Sequence, residues 1–136
     1  MGAIYLERLH SDAALQSFLE AAEVEKRLHG ENAVEVGRIL LSIAGVHDAR
    51  ADEDSALAAY SDAFRVLKSN LGNDDLSVAL ALNNIGINHA RRKNYAKSIS
   101  LISEALRIRK LILGEDHLDV ADSCVNIAHV LDEWGK

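Results

Sequence analysis

The sequence predicts an all-α fold, an α-solenoid in which antiparallel helix pairs stack as a right-handed superhelix. Three observations carry that expectation. The 136 residues include no proline and are 49% hydrophobic but only 4% aromatic, which suits uninterrupted, closely packed aliphatic and alanine-rich helices better than a sheet. Shifted on itself by 42 residues, the chain superposes Gly30, Gly72 and Gly114, then Val36, Val78 and Val120, then Ile43, Ile85 and Ile127. Between these landmarks apolar residues recur at helical spacing. A fixed period of this length marks units that bury their apolar faces only by stacking on their neighbours.

Six main helices are expected, at about 12–29, 33–50, 54–71, 75–92, 95–113 and 117–134, with a stub before them over residues 1 to about 9. The stub follows from the period, because residues 1–15 superpose on 85–99 and so match the second half of a helix whose first half is missing. Helix 12–29 carries Leu15, Ala21, Val24 and Lys26. Helix 54–71 repeats them as Leu57, Ala63, Val66 and Lys68, and helix 95–113 as Ile99, Ala105, Ile108 and Lys110. In that last helix Ile99, Ile102, Leu106, Ile108 and Ile112 follow the 3.6 spacing, with Asn94 placed to cap its start. Helices 33–50, 75–92 and 117–134 begin at the start signals Asn32 with Glu35, Asp74 with Ser77, and Asp116 with Asp119. Gly30, Gly72 and Gly114 stop the helices before them. The eight glycines are scattered rather than clustered after a strand, so they read as punctuation and not as a phosphate loop.

The stretch NNIGINHARRKNYAKSISLISEALRIRKLILGEDHLDVA, residues 83–121, resembles the tetratricopeptide repeat in its 42-residue, kinesin-light-chain-like form. Asn83, Asn84, Ile85, Gly86, Tyr95, Ala105, Leu113, Gly114 and His117 match that pattern. His47 and His89 stand where the family has tyrosine, Lys93 replaces the turn glycine, and Leu118 replaces the proline. The resemblance implies a single array over 1–136: a partial repeat 1–29, repeats 33–71 and 75–113, and a half repeat 117–134, a fragment of a longer array. Ile127, Leu131 and Trp134 are then expected to lack a covering helix.

The resemblance also implies that helices 33–50, 75–92 and 117–134 line a concave side that receives extended or helical peptide segments. On the middle one Leu80, Asn83, Asn84 and Ile87 share a face at i, i+3, i+4 and i+7. Amides among aliphatics suit a peptide groove, since asparagine both donates to and accepts from an extended backbone. The same stripe could instead pack against neighbouring helices. Arg91 continues the face, Arg38 and Ser42 lie on the preceding repeat, and Asp122, Asn126 and His129 on the following one. From 115 to 133 there are six acidic residues and no Lys or Arg, whereas Arg91, Arg92, Lys93 and Lys97 cluster near the preceding turn. Such a pair of patches would orient a charged ligand, or be merely a solvated surface. Chaperone-tail clamps of this family grip a carboxylate with Lys, Asn and Arg, and the corresponding positions here are Leu41, Gly45, Asn84, Asp122 and Asn126. No such clamp is expected.

The expected function is therefore a non-enzymatic interaction module that binds a protein or peptide segment. The alternative is a structural spacer that self-associates through its open end helices, motivated by Trp134. The net charge of −6 argues against a nucleic-acid partner. The absence of a long apolar run argues against a membrane span and makes a cytoplasmic setting the default. Cys124, the single cysteine, aligns with Leu40 and Leu82 and reads as a core residue. The six histidines form no metal-ligand set of recognised spacing, and His47 and His89 read as packing residues. No catalytic residue, metal or cofactor is expected.

Overall fold

The computed structural model describes the backbone of residues 2–135 and the side chains of residues 7–135. Six helices follow in order: α1 (Gly2–His29), α2 (Val34–Ala49), α3 (Glu53–Leu71), α4 (Leu76–Arg91), α5 (Tyr95–Leu113) and α6 (Leu118–Trp134). No strand occurs among the described residues. The chain divides into two units, residues 1–66 and 67–136, with α3 crossing the division.

The expected stub is corrected. Residues 2–29 form one continuous helix, and the reason lies in a turn that the other hairpins share. Between α4 and α5, Lys93 adopts a left-handed φ of 65°. The Asn94 amide donates to the His89 carbonyl at 2.8 Å and the Lys93 amide to the Ala90 carbonyl at 2.9 Å. Between α2 and α3, Ala51 has φ 59°, with Asp52 to His47 at 2.9 Å and Ala51 to Asp48 at 3.0 Å. This paired closure ends a helix on a left-handed residue. In the first repeat the register places Leu9 and His10 there, where Asp52 instead accepts from the Ser55 amide at 3.2 Å. Neither is an Asx residue, and the first helix runs on. At α5 the expected cap is corrected, since Asn94 precedes the helix without a side-chain cap bond and its side-chain amide donates to His89 instead.

Three other helices start one residue later than expected, two of them with a side-chain cap. Asp75, not Asp74, caps α4 and accepts from the Ser77 amide at 2.7 Å. His117 Nδ1 caps α6 by accepting from the Asp119 amide at 3.0 Å. Ala33 precedes α2 with no side-chain bond. Gly30, Gly72 and Gly114 do take left-handed φ of 93°, 82° and 82°.

In unit 1, α1 packs on α2; Ala22 of α1, Val36, Ile43 and Ala44 of α2, and Ala56, Tyr60 and Ala63 of α3 are buried. Asp12 pairs with Arg50 at 2.8 Å, and Arg65 donates to Asn32 Oδ1 at 3.2 Å. One period on, in unit 2, Arg107 makes the equivalent bond to Asp74 at 2.8 Å.

In unit 2, α5 packs against both α4 and α6. The α4–α5 crossing is close because Gly86 has no side chain. A Cβ there would stand 2.6 Å from Ile102 Cγ1 and 3.1 Å from the Ser98 carbonyl. Ser98 is fully buried and its hydroxyl has no partner. Ala90, Ile102 and Val130 form a core on which Ile87, Tyr95, Ile99 and Ile127 pack. The Trp134 ring stacks on Tyr95 with centroids 6.0 Å apart. Ile127 and Trp134 are thus half-buried against these groups. Cys124 is also corrected, being exposed: the apolar side of α6 that meets α5 is formed by Val120, Ser123 and Val130, one residue off the cysteine's register.

Candidate functional site

Helices α4 and α6 stand in equivalent positions one period apart and contact each other directly. Between them opens a cleft of about 180 Å³ lined by Ile87, Ala90, Arg91, Asn126, His129, Val130 and Glu133. Its apolar members rest on the Ile102 core, so a rigid aliphatic floor lies below a rim carrying a guanidinium, a carboxylate, an amide and an imidazole. That mixture can cover aliphatic side chains while offering donors and acceptors to a backbone.

Of the residues singled out from sequence, Ile87, Arg91, Asn126 and His129 come together in this cleft. Asn83 is buried, and its side-chain carbonyl accepts from the Asn126 amide at 3.5 Å, so it braces α4 against α6. Asn84 is half-buried one position along, Leu80 is 40% exposed near the start of α4, and Asp122 is exposed on α6. These three do not line the cleft. Arg38 and Ser42 lie exposed on α2 in unit 1, with Arg38 paired to Glu35.

His89 sits at the closed end of the α4–α5 hairpin, and its Nδ1 accepts from the Asn94 side-chain amide at 3.3 Å. Partial burial holds its imidazole below the usual histidine range, with the charges of Lys97 and Arg92 adding to the effect. The basic cluster beside the turn is partly tied down, since Arg92 Nε donates to the buried Asn88 Oδ1 at 2.8 Å.

One polar pair was not anticipated from the sequence. Arg109, 7% exposed, donates to the fully buried Ser123 hydroxyl at 2.8 Å and to the Asp119 carbonyl at 3.3 Å. The period held a signal for it. Arg109 stands where the preceding repeat has Leu67, and Ser123 where it has Ala81. Two polar residues at apolar registers face each other and fix α5 to α6.

Among the described residues no group of three or more His, Cys, Asp or Glu is placed to hold a metal, and no helix is long and apolar enough to cross a membrane.

The fold and cleft define a helical-repeat protein in which, within unit 2, α4 and α6 lie side by side. Residues 77–136 match the tetratricopeptide repeat family model. The structure is similar to the crystal structure of BtubC (BKLC) from P. vanneervenii, with a TM-score of 0.82 over 93% of this chain at 19% sequence identity. This chain spans half the length of that protein. No curated protein matches the sequence. Residues 77–136 thus match the tetratricopeptide repeat, and the chain shares the all-helical repeat fold of that neighbour, as the 42-residue period implied. Such repeats are generally scaffolds for protein–protein interaction and typically non-catalytic.

Proposed function

We propose that this chain is a non-enzymatic module that binds a peptide or protein segment along the α4–α6 cleft. The observation that carries the reading is the convergence of Ile87, Arg91, Asn126, His129 and Glu133 from two helices on one aliphatic-floored cleft. A bound segment places an apolar side chain on Ile87, Ala90 and Val130. Its backbone meets Asn126 and His129, and its charged groups are sorted by Arg91 and Glu133. Leu80, Asn84 and Asp122 extend the contact beyond the cleft. Affinity comes from shape, apolar cover and backbone hydrogen bonds, with the charges setting ligand polarity and encounter rate.

Selection from a random peptide library tests this. Selected peptides should share a central apolar residue, and Ile87→Glu or His129→Ala should weaken them at least tenfold while helicity is unchanged. Peptides that bind both variants as tightly as the parent chain would refute the assignment.

A further inference from the structure

On the reading that a segment lies along the α4–α6 cleft, the α6 wall decides the charge of that segment. Asn126, His129 and Glu133 line the cleft. Asp122 precedes them on the same stripe, since 122, 126, 129 and 133 follow the i, i+4, i+7, i+11 spacing of one helix face. Asp122 and Glu133 are both exposed, and neither has a hydrogen bond or ion pair among the described residues. Asp74, Asp75 and Glu104 of the same unit, by contrast, are in use: Asp74 and Glu104 hold Arg107, and Asp75 caps α4. No lysine or arginine occurs between residues 115 and 133, while Glu115, Asp116 and Asp132 add to the negative field of the stripe.

The cations on the α4 side do not answer this charge. Arg91 lines the cleft but is already engaged, and Arg92 is tied to Asn88 at 2.8 Å. Lys97 acts on His89 at the α4–α5 turn, and neither it nor Lys93 lines the cleft.

We infer that the segment taken by the cleft is basic: an extended stretch with one apolar anchor on Ile87, Ala90 and Val130 and a lysine or arginine on each side of it, paired with Asp122 and Glu133. Helix geometry sets the spacing. At 1.5 Å per residue the two carboxylates stand about 16 Å apart along α6, the length of about five residues of extended chain. Val130 divides that span unequally, about 12 Å from Asp122 and about 4.5 Å from Glu133. One cation therefore stands one or two residues from the anchor, and the other about three or four residues away on the far side. Lysine and arginine suit these places because a long aliphatic stem covers apolar surface while the charged head reaches an exposed carboxylate. Each exposed pair adds only modest affinity, but an acidic segment is repelled at both ends, so the wall acts chiefly on selection and encounter rate.

Fluorescence anisotropy of the whole chain with labelled, end-capped synthetic peptides tests the partner's chemistry. The probes are lysine–serine–leucine–serine–serine–lysine and the same residues in reverse order, each also made with glutamate for lysine and with serine for leucine. At low salt one of the two lysine orders should bind about tenfold or more tighter than its glutamate form, and the difference should shrink as salt screens the pairs. Asp122→Asn and Glu133→Gln should each weaken the lysine peptide about twofold to fivefold with circular dichroism unchanged. Asp122→Lys combined with Glu133→Lys should turn the preference toward the glutamate peptide. Lysine and glutamate peptides bound equally, neither lysine order bound at millimolar concentration, or neutral variants without effect would each overturn the basic partner. The peptide with serine for leucine reports on the cleft separately. If it binds as tightly as its parent, the cleft reading itself fails; if it is weakened while charge makes no difference, the cleft stands and only the basic partner is wrong.

Discussion

Replacing Gly86 with alanine sets two known effects against each other at one atom. Alanine in a helix interior is favoured over glycine by about 1 kcal/mol, so a helix considered alone would be stabilised. Here the new Cβ would stand 2.6 Å from Ile102 Cγ1 and 3.1 Å from the Ser98 carbonyl, while carbon atoms in good contact sit about 3.5–4.0 Å apart. The crowding atom is on the inner part of the Ile102 side chain, so no terminal methyl rotation relieves it. Either α4 and α5 separate by about 1 Å or Ile102 leaves its rotamer, and overpacking of this kind costs about 1–3 kcal/mol. Gly86→Ala should therefore lower stability by about 1–2 kcal/mol. Urea unfolding followed by circular dichroism and by Trp134, the single tryptophan, measures this within the same unit. The double-mutant cycle is sharper. In an Ile102→Ala background, itself destabilised by about 2–5 kcal/mol, Gly86→Ala should become neutral or stabilising. Equal effects of Gly86→Ala in both backgrounds, or a gain of stability in the parent, would refute this account of the crossing.

Ser98→Ala should stabilise unit 2 by about 1 kcal/mol in the same urea assay, since it removes a buried hydroxyl that has no partner. Lys93→Gly should raise stability by up to about 1 kcal/mol by relieving its left-handed φ, and Lys93→Val should lower it. Ser123→Ala should lower stability by about 1–3 kcal/mol, because it takes an acceptor from the buried Arg109 guanidinium. His89 gives a pH signature. Its folded pKa is lowered, so the unfolded chain binds the proton more readily, and stability falls as pH drops from about 7.5 to 5.5. In His89→Gln that part of the pH dependence should be absent from urea midpoints.

The fold was legible because its information is periodic. Gly30, Gly72 and Gly114 mark left-handed helix ends, and apolar positions such as Val36, Val78 and Val120 are buried in all three repeats. Periodicity misled where one repeat lacks the residue that performs a local task. Leu9 and His10 occupy a turn register without turn chemistry, so the stub joined α1. Cys124 shares the register of Leu82 but not its cover, and exposure depends on which helices are neighbours rather than on the residue's own pattern. The candidate site divides the same way. Helical spacing put Ile87, Arg91, Asn126 and His129 on faces that meet, but Ala90 and Val130 in the floor carried no signal beyond being apolar. The burial of Asn83 depends on a partner, Asn126, on another helix. Arg109 with Ser123 was missed because each looks like a surface residue until the two are paired.

The most direct measurement is an amide chemical-shift map of the chain titrated with a library-selected peptide. The largest changes should fall on Ile87, Ala90, Arg91, Asn126, His129 and Val130, converging from two helices on one bound segment. Changes confined to the outward side of α5, at residues such as Ser103, Arg107 and Lys110, would contradict the claim that neighbouring first helices form the binding surface.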